Sequence, residues 1–250
     1  MAVHFVGAGP GAADLLTVRA VSLLRTAEVC LYAGTYLDDE VLGHCPPGCE
    51  LVDTQHLNLD EITAAITTAV AAGKTVVRLC SGDPSLYSAL TEQTRRLDAV
   101  GIGWDVTPGV PAYAAAAAIL GSELTVPEVA QSVVLTRTQA RSTVMPATES
   151  LSRFASTRAT LVLHLAITRV RELAADLAAD YGEHCPVAVV YRASQPDEMV
   201  IRGSLATIAD DVERAGLRQA AVIIVGAALG NTGCAESHLY NHERERNRGV

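Results

Sequence analysis

The chain begins with a glycine-rich turn of a kind that can bind phosphate groups. The stretch VGAGPGAADLLTVRA, residues 6–20, places Gly7, Gly9 and Gly11 between a short apolar run and a helical pattern. Glycine lets the backbone approach a ligand closely, and a helix that begins at such a turn directs its amide groups at an anion. One hypothesis is therefore an NAD(P)-dependent oxidoreductase that binds the pyrophosphate of its cofactor here.

Several details of this turn argue against a dinucleotide. The glycines follow the spacing G-x-G-x-G rather than G-x-G-x-x-G, Pro10 lies inside the turn, and three residues separate Gly11 from the helix. The second predicted strand does not end in an acidic residue that could bind a ribose, because Asp38 and Asp39 come too late. The oxidoreductase remains an alternative, as does a non-catalytic flavodoxin-like binding module.

Two more turns rich in glycine and proline follow later strands of the same predicted sheet. SGDPSLY, residues 81–87, follows the fourth strand, and TPGVPAYAAA, from Thr107 onward, follows the fifth. Parallel strands end at one edge of a sheet, where open α/β folds build their binding sites. Each turn alone would be ordinary, but the three together predict one site at this edge.

Alternating strand-like and helix-like segments position these turns. In the first half, strands are predicted at 3–7, 28–33, 50–54, 74–82 and 103–109, with helices at 15–27, 59–73 and 86–101. Such alternation favours right-handed crossovers and a mostly parallel sheet.

The pattern changes after the alanine-rich helix at 112–121. The second half shows strands at 132–137, 159–165, 186–193, 198–204 and 220–229, with helices near 167–181 and 205–215. The stretch EMVIRGSL alternates like an antiparallel strand, so this half predicts a mixed sheet. We expect an α/β protein of two domains, 1–122 and 123–250.

The composition restricts the class of protein. The chain has 250 residues, 49% of them hydrophobic, without an apolar run long enough to span a membrane. Its N-terminus lacks the pattern of a signal peptide, so a cytoplasmic location and no membrane partner are expected. The net charge of −9 argues against nucleic acid as a partner.

The six cysteines include one close pair, Cys45 and Cys49, beside His44 in HCPPGC. A metal site there is conceivable, but no second pair of ligands accompanies it. A turn with reduced thiols is the favoured interpretation, and no metal is expected.

Taken together, the three turns resemble the N-terminal signatures of the tetrapyrrole methylases, a family of enzymes that depend on S-adenosylmethionine (SAM). Further stretches, ELTVPEVAQSVVLTR, VVYRASQPDEMVIRGSL and CAESHLY, resemble the branch that methylates carbon 11 of precorrin-4 in cobalamin biosynthesis. The resemblance covers essentially the whole chain. It implies the two-domain class III fold with the active site in a trough between the domains, and a homodimer. Another tetrapyrrole carbon or a cobalt-containing substrate remains an alternative.

The resemblance also assigns residues to the SAM site. The positions that match the family motifs, or that follow the letters IIVG at 223–226, are Pro10, Ser81, Gly82, Asp83, Leu86, Pro111, Ala112, Leu165, Ala193 and Ala227. Asp83 has two interpretations: it holds SAM or opposes its positive charge, or it caps a turn by binding local amide groups.

No general base is assigned from the sequence. The commonest family form of the first signature reads G-x-G-P-G-D-P, whereas Ala12 and Ala13 follow the last glycine here. With that carboxylate absent, Asp83 and Asp14 are the candidate catalytic residues. The histidines His4 and His164 could assist the loss of a proton, although a lone histidine in a strand is commonly a packed core residue.

Arginine supplies nearly all of the positive charge. Of the 19 basic residues, Lys74 is the only lysine. A GC-rich genome would explain this bias, and so would a need for planar groups that bind carboxylates in pairs of hydrogen bonds. A precorrin carries many carboxylates, so Arg19, Arg137 and Arg141 are predicted to bind the substrate.

Overall fold

The computed structural model describes residues 2–34, 37, 39–138 and 144–230, which divide into two compact units. The first unit runs to Ala116 and also contains Arg192–Glu198, and the second comprises Ala117–Tyr191 and the chain from Met199 onward. The domain division predicted after residue 122 stays a prediction. The compact units divide the chain nearby, inside the alanine-rich segment.

The first unit is built on a parallel sheet, as the alternation of elements predicts. Its strands are β1 (Ala2–Gly7), β2 (Val29–Tyr32), β3 (Glu50–Asp53), β4 (Val76–Cys80) and β5 (Gly103–Thr107). They lie in the order β3-β2-β4-β1-β5, and every pairing is parallel. The strands β4 and β5 therefore flank β1, and the three glycine-rich turns follow three adjacent strands.

Helices connect these strands. They are α1 (Val18–Leu24), α2 (Asp39–Leu42), α3 (Leu59–Ala71), α4 (Leu90–Ala99) and α5 (Ala112–Leu120). The start of α3 is fixed by a capping box, in which the Asn58 side chain accepts from the Glu61 amide and the Glu61 carboxylate accepts from the Asn58 amide. Gly73, in a left-handed conformation, follows its end. The short α2 was not predicted from the sequence.

Two apolar clusters cover the two faces of the parallel sheet. Phe5, Leu31 and Ile66 are buried in one cluster, and Leu24 and Leu79 are buried in the other. Alternate residues of each strand point to opposite faces, so the continuous apolar runs of β1 and β4 supply both clusters. Each fully buried side chain of this size contributes about 1.5–3 kcal/mol to stability.

The second unit contains a mixed sheet, as predicted. Its strands are β6 (Val133–Arg137), β7 (Thr160–His164), β8 (Pro186–Tyr191), β9 (Met199–Ser204) and β10 (Ala221–Val225). Their order is β6-β7-β10-β8-β9; β6 and β7 are parallel, and the other neighbours are antiparallel. The helices are α6 (Leu151–Ala155), α7 (Val170–Tyr181) and α8 (Ile208–Arg214). In both units, no helix of the described residues has the length and apolar character needed to cross a membrane.

Candidate active site

The glycine-rich loops after β1 and β4 are joined through their backbones at the carboxyl edge of the first sheet. Gly9 donates its amide to the carbonyl of Gly82 at 3.1 Å, and Gly82 donates in return to the carbonyl of Gly9 at 2.8 Å. One residue earlier, the amide of Ala8 donates to the carbonyl of Cys80 at 2.8 Å. Beyond the parallel ladder of β1 and β4, an antiparallel bridge between Gly9 and Gly82 therefore fixes the relative position of these two loops.

Glycine is required where these loops meet. A Cβ atom on Gly7 would lie 2.4 Å from the backbone nitrogen of Gly109, and one on Gly109 would lie 2.3 Å from the carbonyl oxygen of Gly82. Gly9 and Gly82 also have φ angles of 72° and 66°, which side chains disfavour. The glycines of the opening motif therefore allow three loops to pack closely. This packing explains the glycines without a bound phosphate group.

Asp83 connects the loop after β4 to the loop after β5. One carboxylate oxygen accepts from the Ser85 amide at 2.8 Å and from the Ser85 hydroxyl, and the other accepts from the Gly109 amide at 2.8 Å. Burial opposes ionisation, but the hydrogen bonds from Ser85 and Gly109 outweigh it and lower the pKa of Asp83. The carboxylate is thus ionised at neutral pH. It caps the turn, which is one of the two roles that the sequence suggested for Asp83.

Two residues of the loop after β4 have an unusual backbone conformation. Tyr87 and Ala89 have φ angles of 53° and 55°, in the left-handed region. A helix cannot continue through such residues, so α4 begins at Leu90, and the prediction of a helix from residue 86 is wrong for its first turn. Leu86 is half-buried, with its amide bonded to the Asp83 carbonyl at 3.1 Å. Strained backbone of this kind is found at binding sites.

A segment distant in sequence packs on the first glycine loop. The side-chain amide of Gln195 donates to the carbonyl of Pro10 at 3.2 Å, and the hydroxyl of Ser194 accepts from the amide of Ala12 at 3.1 Å. A Cβ on Gly11 would lie 2.3 Å from Cγ of Gln195. Gln195 and Ser194 were not predicted as site residues, although they lie inside the stretch VVYRASQPDEMVIRGSL, which was noted for its resemblance.

This segment, Arg192–Glu198, is braced internally. Arg192 donates to the Asp197 carboxylate at 2.5 Å, and the Ser194 amide donates to the Glu198 carboxylate at 2.7 Å. Ala193, predicted to contact SAM, is 5% exposed between Arg192 and Ser194, and both of these neighbours have positive φ angles. The small side chain at this position is therefore packed within the segment.

The other SAM positions expected in the first unit lie on the joined loops. Ser81 is exposed directly after β4, and Pro111 and Ala112 are half-buried where α5 begins. Together with Pro10, Gly82, Asp83 and Leu86, they place every predicted position of these three motifs at one edge of the sheet. Their contact with SAM stays a prediction.

The two SAM positions expected in the second unit lie apart. Leu165, 60% exposed with a φ angle of 53°, follows β7, whereas Ala227, also exposed, follows β10. Because β7 and β10 are antiparallel, these residues leave opposite edges of the sheet, about 17 Å apart for strands of five residues. The topology does not bring Ala227 to the edge at which Leu165 lies, so we leave Ala227 out of the proposed site.

Arg137 and His164 are neighbours at the carboxyl ends of β6 and β7. They are register partners of a parallel pair, so their side chains stand on the same face of the sheet. Both are half-buried, and burial lowers the pKa of His164. His164 is therefore neutral at pH 7, beside the guanidinium of Arg137.

The remaining predicted residues lie elsewhere. Arg19 is exposed on the first turn of α1, and Asp14 is exposed in the short 3-10 turn Ala13–Leu15. His4, inside β1, bonds through Nδ1 to the Asp105 carboxylate at 2.8 Å. Arg141 lies outside the described residues. Within those residues, no three histidine, cysteine or acidic side chains are arranged to hold a metal ion.

Comparison with known proteins gives the family. The sequence model of the family of tetrapyrrole (corrin/porphyrin) methylases matches residues 2–209. A precorrin-4 C(11)-methyltransferase of Rhodococcus erythropolis is 53% identical over 246 residues, which cover 98% of this chain and 99% of the relative. The solved structure of a cobalt precorrin-4 methyltransferase gives a TM-score of 0.87 at 36% identity, covering 91% of this chain and 95% of that one. A uroporphyrin-III C-methyl transferase of Thermus thermophilus, crystallised with S-adenosylhomocysteine, gives 0.77 at 29% identity, covering 92% and 94%.

The two sheets, the joined glycine loops and these matches define an α/β methyltransferase. The chain belongs to the tetrapyrrole (corrin/porphyrin) methylases. The resemblance drawn from the sequence motifs is confirmed, and the oxidoreductase and the non-catalytic binding module are set aside.

Proposed function

We propose that the protein transfers a methyl group from SAM to carbon 11 of precorrin-4, giving precorrin-5 in cobalamin biosynthesis. The observation that carries the proposal is the set of three joined glycine loops in a chain that matches a precorrin-4 C(11)-methyltransferase along its whole length. The enzyme is a SAM-dependent methyltransferase, and SAM is its methyl donor.

The residues at the loop edge suit this donor. SAM, when bound, supplies a methyl group on a positively charged sulfur atom. The Asp83 carboxylate stays ionised at neutral pH and places a negative charge within the joined loops. Gly7 and Gly109 leave no room for a side chain, so the loops around this charge pack closely against one another. We propose that Pro10, Ser81, Leu86, Pro111 and Ala112 line this site.

Methyl transfer between two bound molecules does not require a covalent bond to the protein. Holding the donor and the acceptor carbon in line contributes up to about 7–11 kcal/mol to the lowering of the barrier. The backbone bonds between the loops and the three hydrogen bonds accepted by the Asp83 carboxylate provide such rigidity on the donor side. No side chain of this edge needs to act as a nucleophile.

We propose that Arg137 binds a carboxylate of the tetrapyrrole. Its neighbour His164 is neutral at pH 7, which is the form that accepts a hydrogen bond or a proton at a ring nitrogen. Methylation creates a quaternary carbon, after which the macrocycle loses a proton or rearranges. A half-buried guanidinium beside a neutral imidazole suits both tasks, and Arg19 and Arg141 remain proposed substrate contacts.

A transfer assay with two substrates tests this function. The enzyme is incubated with methyl-labelled SAM and either precorrin-4 or cobalt-precorrin-4, and labelled tetrapyrrole is separated by chromatography. Faster transfer to metal-free precorrin-4 supports the proposal, whereas transfer to the cobalt form alone favours the alternative. NAD⁺ serves as the control ligand in a thermal-shift measurement, where SAM raises the melting temperature and NAD⁺ does not.

We also propose a cytoplasmic homodimer. The described cysteines Cys30, Cys45, Cys49, Cys80 and Cys185 are free thiols, as is usual in the cytosol. Large apolar side chains such as Val18 and Trp104 are exposed on the single chain, and a second copy would cover some of them. Light scattering coupled to size-exclusion chromatography measures the mass directly, and a monomer mass at micromolar concentration would contradict the dimer.

A further inference from the structure

Three thiols meet beside the parallel sheet, away from the joined loops. Cys30 is fully buried in β2, and the half-buried Cys45 and Cys49 pack against the same apolar cluster. Cys49 directly precedes β3, whose Glu50 is the register partner of Val29, so Cys49 and Cys30 stand on the same face of neighbouring strands. Cys45 follows α2, with its amide bonded to the Leu42 carbonyl at 3.0 Å.

A rigid turn holds Cys45 and Cys49 together. The amide of Cys49 donates to the carbonyl of Pro46 at 3.0 Å, with Pro47 and Gly48 between them. The φ angle of 91° at Gly48 and the proline before it are the features of a type II turn. Proline restricts the unfolded chain, so little further entropy is lost when the two thiols are brought into contact.

The hydrogen bonds among the thiols make Cys45 the reactive member. A hydrogen bond from Cys30 lowers the pKa of Cys45 to about 7, against the effect of burial and with help from Cys49. The pKa of Cys30 is raised by the same contact and by its burial, and burial and the Cys45 charge raise that of Cys49 to about 11. Two charged residues also act here: Glu50 raises the pKa of Cys49, and Arg78 lowers that of Cys30.

We propose that this thiol cluster is a site of reversible oxidation, in which a peroxide oxidises Cys45 and Cys49 then closes a disulfide with it. The Cys45 thiolate attacks one oxygen of the peroxide: a sulfur–oxygen bond forms, the oxygen–oxygen bond breaks, and the leaving oxygen takes a proton to give water or an alcohol. Cys49 then attacks the Cys45 sulfur, a sulfur–sulfur bond forms, and the hydroxyl leaves as water with the Cys49 proton. Two thiols lose two electrons, and the peroxide gains them.

Cys49 is the resolving thiol because of its exposure. Cys30 has no exposed surface within β2 and keeps its proton as a hydrogen-bond donor to Cys45, whereas Cys49 lies half-buried at the end of a turn. Cys45 and Cys49 lie in one short segment outside the strands, whereas Cys30 lies on β2, which is paired on both sides within the sheet. Disulfides of this exposed, short-loop kind are reopened by dithiol reductants.

The experiment uses the full-length reduced protein. It is treated with a small excess of hydrogen peroxide, unfolded in guanidinium chloride, alkylated with iodoacetamide, digested with trypsin and analysed by mass spectrometry. All three thiols lie between Arg25 and Lys74 without another basic residue, so they share one tryptic peptide. We expect this peptide to lose two hydrogens and to carry a single alkyl group, which fragmentation places on Cys30. A bond through Cys30, or three alkylated thiols after peroxide treatment, would overturn the proposal.

A second measurement labels the reduced wild-type protein without a substitution or an oxidant, and a third treats two variants with peroxide. The pKa of Cys45 is lowered, whereas burial raises that of Cys185, so we expect iodoacetamide to label Cys45 at least about tenfold faster than Cys185 at pH 7. In Cys49→Ser the sulfenic acid on Cys45 persists and is trapped by dimedone, while the matched variant Cys185→Ser still forms the disulfide. Equal labelling of Cys45 and Cys185 in the folded wild-type protein would contradict the proposal even where a variant fails to fold.

Discussion

Asp83 is the residue that most directly ties the sequence motif to the geometry of the site. Its two carboxylate oxygens serve different loops, one through Ser85 and one through Gly109. A carboxylate at this position therefore stabilises the arrangement of loops and also leaves a negative charge there. The sequence suggested both roles as alternatives, and the hydrogen bonds make the structural role explicit.

We expect Asp83→Asn to lower the free energy of unfolding by about 1–3 kcal/mol, because one amide donor then faces the side-chain NH₂ instead of an acceptor. We expect the affinity for SAM to fall as well, since the amide of Gly109 loses the hydrogen bond to the side chain of residue 83. Denaturant unfolding and titration calorimetry measure the two effects. Ser85→Ala is the control, because it removes only the hydroxyl contact. Weaker SAM binding at unchanged stability would instead put the carboxylate in direct contact with the ligand.

His164 should make stability depend on pH between neutral and mildly acid conditions. Burial lowers its pKa in the folded state, whereas the unfolded chain has a pKa near ~6.5. The unfolded state then binds more protons, so stability is complete above that pH and declines below it, by up to about 1.4 kcal/mol per pH unit.

His164→Gln removes this dependence. Unfolding free energies of both proteins are measured with denaturant at pH 7.5, 6 and 5. Asp53 and Asp83, whose pKa values are lowered, act nearer to pH 4 and are present in both proteins, so they cancel in the difference. Parallel curves for the two proteins would show that His164 is as well solvated when folded as when unfolded.

The connection between β8 and β9 acts as a brace for the first glycine loop. Gln195 and Ser194 provide hydrogen bonds to Pro10 and Ala12, and Gly11 leaves room for the Gln195 side chain. The carbonyl of Pro10 is thereby held in one direction. We infer that the hairpin connection sets the shape of the loop on which the first motif lies.

Gly11→Ala tests this brace. The added methyl would overlap Cγ of Gln195, so we expect a loss of about 1–3 kcal/mol in stability. In the Gln195→Ala background the obstructing atom is absent, and the same substitution should cost less. A double-mutant cycle in unfolding free energy should give a coupling of about 0.5–3 kcal/mol. Strict additivity of the two substitutions would mean that the contact contributes nothing.

The elements of the sheets could be predicted from the sequence, but their loops could not. Continuous apolar runs identified β1 and β4, and alternation identified β9 as antiparallel, because these patterns record which faces are buried. The first turn of α4 was lost because helical spacing cannot reveal the left-handed conformation of Tyr87. The contact of Gln195 with Pro10 joins residues 185 positions apart, which no local pattern records.

The molecule as a whole is acidic, and this restricts how it attracts a substrate with many carboxylates. A net charge of −9 repels a polyanion at long range, so binding depends on local basic groups. Arg137 is suited to this because it is half-buried at a strand end, where a carboxylate pair is less screened by water. The sequence predicted that Arg137 binds the substrate, because a precorrin carries many carboxylates. The position of Arg137 beside His164 was found only from the strand register.

We expect Arg137→Ala to raise the KM for precorrin-4 at least about tenfold and to leave the Kd for SAM nearly unchanged. The matched control is Arg153→Ala, which removes an exposed arginine of α6 and should alter neither value. Steady-state kinetics and SAM titrations are carried out in parallel. Equal losses of affinity for both ligands would indicate misfolding. No loss of affinity for either ligand would show that Arg137 does not contact the substrate.

The most direct test of the central claim is the position of the new methyl group. The enzyme is supplied with precorrin-4 and SAM labelled with carbon-13 in the methyl group, and the product is examined by carbon NMR. The account predicts one new labelled methyl, bonded to a quaternary carbon at position 11. A label at any other carbon of the macrocycle, or no transfer to precorrin-4 by the folded enzyme with SAM bound, would contradict it.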